Sequence, residues 1–145
     1  MFLDASAVVA IMTAEEGADL LVAKIAASKQ QIHYSSITVF EAVIAISRKA
    51  AVARYGDQKP TSPHLIASAQ TNVGRFMRSI GATEIDLPAG IHESALTAAS
   101  TFGRFVGHPA KLNFGDCFTY AAAKTLKSPL LFVGEDFAQT DIEPA

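Results

Sequence analysis

The sequence predicts an α/β fold in which helices cover both faces of a central parallel sheet. Short apolar segments typical of strands alternate along the chain with longer helical segments. Half of the 145 residues are hydrophobic and the mean hydropathy is +0.25, as expected of a sheet that is covered on both faces. No internal repeat, low-complexity segment or linker divides the chain, so we expect a single domain over residues 1–145.

The first half of the chain contains two predicted strands and three predicted helices. The strand Met1–Leu3 leads directly into a helix over Ala5–Thr13, and the apolar residues of Glu15–Ser28 recur on or near one helix face. A short strand is predicted over Ile32–Tyr34. Two serines then introduce a long helix over about Ile37–Arg54.

The second half repeats this alternation after a loop over Gly56–Pro63 that contains glycine, aspartate, serine and two prolines. A helix is predicted over Pro63–Ile80, a strand over Thr83–Leu87, and a further helix from Pro88 to about Val106. The last predicted elements are a helix and a fully apolar strand, Gly115–Leu126 and Leu130–Val133.

The composition excludes several classes of protein. The longest uninterrupted apolar run, Ala7–Met12, has six residues and is too short to cross a membrane. The N-terminus has no basic region followed by an apolar stretch, so we expect no secretory signal. Cys117 is the only cysteine, which excludes an internal disulfide framework and fits a reducing cytoplasm. The net charge of −2 gives no general attraction to nucleic acid, so such binding needs a local patch or a bound metal.

Several acidic residues lie where a sheet of this kind places its ligand site. Asp4 follows the first predicted strand, and Glu135 and Asp136 follow the last one. Asp116 begins the helix that leads into the last strand, and Glu41 lies one turn into the long helix. Because the carboxyl ends of the strands face the ligand crevice in open α/β sheets, these side chains are candidates to converge there.

Each acid taken alone also has a structural interpretation, which is the commoner one. Asp4 is suited to cap the first helix, Asp116 complements a helix dipole, and Glu41 follows Thr38 at the spacing of a capping box. Together the acids favour a different interpretation, because Glu41 and Asp116 lie in apolar segments where a carboxylate needs a partner. The first basic residue after Glu41 is Arg48, two turns further along.

A hard divalent cation would relieve the repulsion among several carboxylates in one pocket. Mg²⁺ and Mn²⁺ prefer oxygen ligands and retain bound waters. A cation held in this way activates water for attack on a phosphodiester and stabilises the leaving oxygen. The acids therefore indicate metal-dependent phosphodiester hydrolysis without a nucleophilic side chain.

Four segments of the chain resemble, in the same order, the motifs of PIN-domain nucleases, and most closely those of VapC-type ribonuclease toxins from bacterial toxin–antitoxin pairs. The segments are "MFLDASAVVAIM", "SSITVFEA", "LNFGDCFTYAAAK" and "LLFVGEDFAQTDI". The resemblance implies a three-layer α/β/α domain. The sequence departs from the compact family pattern at about Ala53–Ile80, which is longer.

The resemblance also assigns the acids. The invariant acids of the family fall on Asp4, Glu41 and Asp116, and the fourth acid falls on Asp136, with Glu135 as the alternative. Ser6 matches a family position whose hydroxyl helps to order the site. The resemblance therefore extends to Ser6 as well as to the four acids.

What the resemblance implies for function is a cytoplasmic endoribonuclease that depends on Mg²⁺ or Mn²⁺. Asp4, Glu41 and Asp116 would bind one or two of these ions, and Asp136 would complete the cluster or position the attacking water. Such proteins usually form homodimers, act on RNA, and are held inactive by a cognate antitoxin protein whose tail enters the acidic site.

Basic residues near the acids are candidate contacts for the substrate. Lys124 lies eight residues after Asp116, on the same helix, and Arg48, Lys49 and Arg54 form a basic end to the Glu41 helix. We name Lys124 and Arg48 as substrate-binding candidates. A solvated helix face is an equal or commoner explanation for each of them.

Two other classes of function are alternatives to the nuclease. A phosphatase of the haloacid-dehalogenase type needs a second aspartate two residues after the first, where this chain has Ser6. The other alternative is a catalytically silent PIN-like module that binds RNA or a protein. The presence of Asp4, Glu41 and Asp116 together favours the nuclease over the silent module.

Overall fold

The computed structural model describes all 145 residues and contains a four-stranded parallel sheet between two layers of helices. The strands are β1 (Phe2–Leu3), β2 (His33–Ser35), β3 (Thr83–Ile85) and β4 (Leu130–Leu131). The α-helices are α1 (Ala5–Met12), α2 (Ala18–Ala27), α3 (Ser36–Tyr55), α4 (Pro63–Ser79), α5 (Ile91–Phe102) and α6 (Phe114–Thr125). Two short 3₁₀ turns cover Arg104–Val106 and Phe137–Gln139.

The sheet has the strand order β3-β2-β1-β4, so the first strand of the chain lies inside the sheet. Phe2 pairs with His33 of β2 on one side and with Leu130 of β4 on the other. Because all the strands are parallel, the residues that follow β1 and β4 leave the sheet at the same edge.

Alternate residues of β1 and β4 build two separate hydrophobic cores. Phe2 and Leu130 pack into a core with residues of α5 and α6, whereas Leu3 and Leu131 pack into a core with residues of α1 to α4. Successive side chains of a strand point to opposite faces of the sheet, so both faces are covered. The predicted three-layer α/β/α fold is confirmed.

The segment around residues 53–80 forms the end of α3, a loop and α4. Helix α4 buries Leu65, Ala69, Val73 and Met77, which recur every four residues on one face. This spacing is that of an amphipathic helix, and it packs α4 onto the α1–α4 side of the sheet together with α3. The longer segment therefore adds a helix to one of the two helical layers and does not form a separate domain.

Two helices are shorter than predicted, and glycine explains the difference in each case. Helix α2 begins at Ala18, after Gly17 with φ +82°, and α5 begins at Ile91, after Gly90 with φ +83°. A residue with positive φ lies outside a right-handed helix, so the predicted starts at Glu15 and Pro88 were too early. No helix of the protein is both long enough and apolar enough to cross a membrane.

Candidate active site

Four of the predicted acids line one open pocket of about 450 Å³ at the carboxyl edge of β1 and β4. Asp4 comes from the end of β1, Glu41 from α3, Asp116 from α6 and Asp136 from the segment after β4. The predicted convergence of these side chains is therefore present in the fold. Glu135 does not line this pocket.

Asp4 lies at the base of the pocket and is 3% exposed. It is the N-cap of α1, and its Oδ2 accepts hydrogen bonds from the Ser6 N–H at 2.8 Å and from the Ser6 hydroxyl at 2.5 Å. Its Oδ1 is buried and has no hydrogen-bond partner. Burial raises the pKa of Asp4, and the hydrogen bonds from Ser6 oppose that rise. Capping thus explains one oxygen of Asp4 and leaves the other unexplained.

Ser6 joins the segments that follow β1 and β4 at this edge. Its hydroxyl donates to Asp4 and accepts a hydrogen bond from the N–H of Val133 at 3.0 Å. The backbone N–H of Asp4 in turn donates to the carbonyl of Leu131 at 2.9 Å. Ser6 therefore orients Asp4 and holds the segment that carries Asp136 against it.

Glu41 faces the pocket from α3, and it does not cap this helix. The capping box is formed by Ser35 and Thr38, whose side chains and backbone N–H groups bond reciprocally. Glu41 is in no ion pair. Desolvation, followed by the charges of Asp4 and Asp116, raises the pKa of Glu41 to about 7.

Asp116 enters the pocket from the first turn of α6. It forms a capping box with Asn113: its Oδ2 accepts from the Asn113 N–H at 2.7 Å, and its own N–H donates to Asn113 Oδ1 at 3.1 Å. Burial raises the pKa of Asp116 to about 6, assisted by the charges of Asp4 and Asp136 and opposed by the Asn113 hydrogen bond. Asp116 thus has the structural role at the start of α6 that the sequence suggests. This role does not remove the electrostatic cost of burying its charge beside Asp4 and Asp136.

These residues fit a hard divalent cation. The donors are all oxygens, one of them is a buried carboxylate oxygen without a partner, and burial, followed by mutual repulsion, raises the pKa values of Glu41 and Asp116. No group of three acidic, histidine or cysteine side chains is placed closely enough to hold a metal ion by itself. An open arrangement suits Mg²⁺, which keeps several waters and binds through one or two carboxylates.

The two predicted substrate contacts lie outside the pocket. Lys124 is paired with Asp141 at 2.9 Å. Arg48 is paired with Asp57 at 2.5 Å and donates to the carbonyl of Lys59 at 2.7 Å. The structure therefore does not bring Lys124 or Arg48 together with the acids.

Lys49, Gly115 and Thr119 also take part in the pocket or its walls, and of these the sequence names only Lys49, within the basic end of the Glu41 helix. Lys49 lines the pocket and follows Glu41 by eight residues on α3. Gly115 leaves the space that the Glu41 carboxylate occupies. The buried hydroxyl of Thr119 is close enough to Asp4 to lower its pKa slightly, but it makes no hydrogen bond of ordinary geometry. The spacing from Glu41 does not distinguish Lys49 in the sequence, because Arg48 lies closer to Glu41 around an ideal helix.

Comparison with known proteins decides the family. The PIN domain family model matches residues 1–143, and a VapC ribonuclease of Rhizobium meliloti (strain 1021) is 37% identical over 141 residues, covering 97% of this chain and 98% of the relative. The chain belongs to the PIN-domain VapC ribonuclease family. The resemblance seen in the four sequence segments is confirmed.

Other members of the family agree in length and fold. Ribonuclease VapC42 of Mycobacterium tuberculosis is 32% identical over 145 residues, covering 100% of this chain and 98% of the relative. The crystal structure of Mycobacterium tuberculosis VapC20, a toxin that cleaves the sarcin–ricin loop, superimposes with a TM-score of 0.66 at 13% identity, covering 99% of this chain and 97% of that one. That structure supports the PIN fold of this VapC-family chain.

Proposed function

We propose that the protein is the metal-dependent endoribonuclease toxin of a toxin–antitoxin pair, and that it hydrolyses RNA phosphodiester bonds. The observation that supports this best is the pocket itself: Asp4, with one buried oxygen free, faces it together with Glu41 and Asp116. Such a group of carboxylates is unfavourable until a cation joins it. Family membership supports the choice of RNA as the substrate.

In this proposal Asp4, Glu41 and Asp116 hold Mg²⁺ or Mn²⁺ through their carboxylates. The bound ion supplies charge for the developing oxyanion and lowers the pKa of a bound water. Ser6 fixes the orientation of Asp4 through the 2.5 Å hydrogen bond between its hydroxyl and Asp4 Oδ2, and Asn113 fixes Asp116. Asp136 is more exposed than the other acids, and its position at the rim suits it to orient the attacking water.

The proposal includes a homodimer. An apolar groove of about 510 Å³ lies between α5 and α6 and is lined by eight hydrophobic residues. Leu96, Phe105 and Phe114 are 65%, 63% and 67% exposed there. Exposed aromatic and aliphatic side chains grouped in this way are typical of protein interfaces, and a second copy of the chain is the partner we propose.

The remaining parts of the proposal come from the family. We propose that a cognate antitoxin protein binds the toxin, that the toxin acts in the cytoplasm, and that residues 1–145 form one PIN domain. The 97–100% coverage of this chain by relatives of similar length supports the last statement.

The test is cleavage of RNA by the purified, antitoxin-free protein in Mn²⁺ or Mg²⁺, compared with an Asp4→Asn/Asp116→Asn double variant. Asparagine at position 4 caps a helix as well as aspartate does, and at position 116 its amide oxygen can still accept from the Asn113 N–H, so the variant should keep its fold. We expect cleavage that needs the metal and is lost in the variant, together with Mn²⁺ binding by calorimetry that the variant lacks. Equal cleavage by both proteins would indicate a contaminating nuclease. A folded wild type that neither cleaves RNA nor binds Mn²⁺ would support the catalytically silent module instead.

A further inference from the structure

Lys49 is the only cationic side chain among the residues that line the acidic pocket. It reaches the pocket because Glu41, Ala45 and Lys49 follow one another at four-residue intervals on α3, and all three line the pocket. Residues at this spacing share one helix face. The rise of a helix puts Lys49 about 12 Å along the axis from Glu41, at the rim and away from the cation-binding acids.

The partner of Lys49 in the free protein is Glu15. The Lys49 Nζ lies 2.6 Å from Glu15 Oε1, and the same oxygen accepts a hydrogen bond from the Thr13 hydroxyl at 2.9 Å. The side chains of Lys49 and Glu15 are 52% and 38% exposed. An ion pair this exposed contributes little to stability, so Lys49 can exchange Glu15 for another anion at small cost.

The negative charge of the pocket is the reason why an exchange of partners by Lys49 would matter. Its carboxylates repel the phosphates of a nucleic acid strand, and the chain as a whole carries a net charge of −2. Arg104 is close enough to Asp116 to lower its pKa, but it does not line the pocket. Arg48 and Lys124 are held by Asp57 and Asp141 outside it. Lys49 is therefore the residue placed to attract a strand that enters the pocket.

We propose that Lys49 binds a backbone phosphate of the RNA strand next to the one that is cleaved, and that Glu15 holds the Lys49 side chain in place until the strand arrives. The inference rests on the proposed ribonuclease function and deepens it. Lys49 acts on substrate binding in this scheme and is not a ligand of the cation.

The experiment measures binding of a fluorescently labelled single-stranded RNA by anisotropy, in Mg²⁺, with Asp116→Asn in every protein so that the probe is not consumed. The variants are Lys49→Gln, Lys49→Arg, Glu15→Gln and Lys124→Gln. Glu15→Gln removes the same ion pair as Lys49→Gln. Lys124 is the matched control, because it is a lysine that is 45% exposed and paired with a carboxylate, that of Asp141.

We expect Lys49→Gln to weaken RNA binding by about 3- to 10-fold and to make the slope of log K against log salt shallower by about 0.7, the value for one phosphate contact on a single strand. Lys49→Arg should restore both. Lys124→Gln should change neither, and Glu15→Gln should bind RNA as tightly as the parent or more tightly. In the protein with Asp116 intact, Lys49→Gln should raise KM and leave kcat almost unchanged.

Two results would overturn the inference while the proposed function stands. In the first, the parent binds RNA and Lys49→Gln has the same affinity and salt slope as the parent. In the second, Glu15→Gln and Lys49→Gln lose RNA affinity equally, which would show that the ion pair serves stability alone. A parent that binds no RNA, with a wild type that cleaves none, would overturn the proposed function and this inference together.

Discussion

A Cβ atom at position 115 would occupy the space of the Glu41 carboxylate. Gly115 lies in the first turn of α6, next to Asp116, and it has no positive φ. Glycine is therefore needed at this position for space and not for backbone freedom. The atoms that this Cβ would meet are those of the Glu41 carboxyl group, at the far end of a flexible side chain. The carboxyl group can move aside at little cost in stability, but it then leaves its place in the pocket.

Gly115→Ala should therefore inactivate the protein while leaving it folded. We expect at least a 10-fold loss of metal-dependent RNA cleavage, in line with the sensitivity of active sites to displacements of about 1 Å, and a change in the free energy of unfolding below about 1 kcal/mol. Gly74→Ala is the control, because a Cβ at Gly74 would only touch Arg78 at 3.4 Å. Retained cleavage by Gly115→Ala would show that Glu41 is not needed where it lies.

The pKa of Glu41 predicts how the metal-free protein responds to pH. Its folded-state pKa of about 7 stands above the ordinary value of 4.5, so the folded state holds the proton more tightly than the unfolded state. The stability contributed by this proton is complete below pH 4.5 and is lost as the pH rises to about 7. The pKa of Asp116, raised to about 6, acts in the same direction.

Glu41→Gln should remove the Glu41 part of this loss. Urea unfolding in EDTA should find the variant more stable than the wild type by about 1 kcal/mol at pH 7.5, a value reduced for the partial exposure of Glu41. The two proteins should converge as the pH falls below the ordinary value of 4.5, where the glutamate becomes protonated in both states. A difference that does not change with pH would refute the electrostatic origin of the shift.

Ser6→Ala should weaken the junction between β1 and β4. The Ser6 hydroxyl donates to Asp4 and accepts from the Val133 N–H, and its removal leaves the Val133 N–H without that partner. We expect a loss of about 1–2 kcal/mol in the free energy of unfolding, and weaker Mn²⁺ binding by calorimetry because Asp4 loses an orienting donor. Ser6→Thr keeps the hydroxyl and serves as the comparison. Unchanged Mn²⁺ affinity in Ser6→Ala would limit Ser6 to a structural role.

Thr119→Val should stabilise the metal-free protein. The Thr119 hydroxyl is fully buried and has no hydrogen-bond partner, and valine has nearly the same shape without the unsatisfied group. Removing an unpartnered buried hydroxyl gains about 1 kcal/mol. Thr119→Ser retains the hydroxyl and should show no gain. A loss of stability in Thr119→Val would mean that the hydroxyl binds Asp4 Oδ1 or a buried water.

The sequence locates the acids well because each of them stands at a boundary that local patterns reveal. Asp4 follows an apolar strand and Asp116 opens a helix, and parallel strands bring such boundaries to one edge of the sheet. The starts of the helices after Gly17 and Gly90 are harder to predict from the sequence, because the sequence does not show whether a glycine has a positive φ.

The basic residues show where sequence reasoning ends. Arg48 and Lys49 are neighbours in the chain but point about 100° apart around α3, and the packing of Ala42 and Val43 against the core decides which of them faces the pocket. Arg48 and Lys49 follow Glu41 by seven and eight residues, about 20° and 80° away from it around an ideal helix, so neither spacing nor charge selects Lys49 in the sequence. The partner of Lys124, Asp141, lies in the segment after β4, and only the tertiary fold brings the two together.

The position of β1 in the sheet has a consequence for how the protein is made. Phe2 and Leu3 are synthesised well before their neighbours in β4, Leu130 and Leu131. Until β4 emerges, Ser6 lacks the Val133 N–H and Asp4 lacks the Leu131 carbonyl, and the central strand has one open edge. The cleft is completed only after β4 has been synthesised, so a chain that lacks β4 does not yet hold Asp4 and Ser6 in their places.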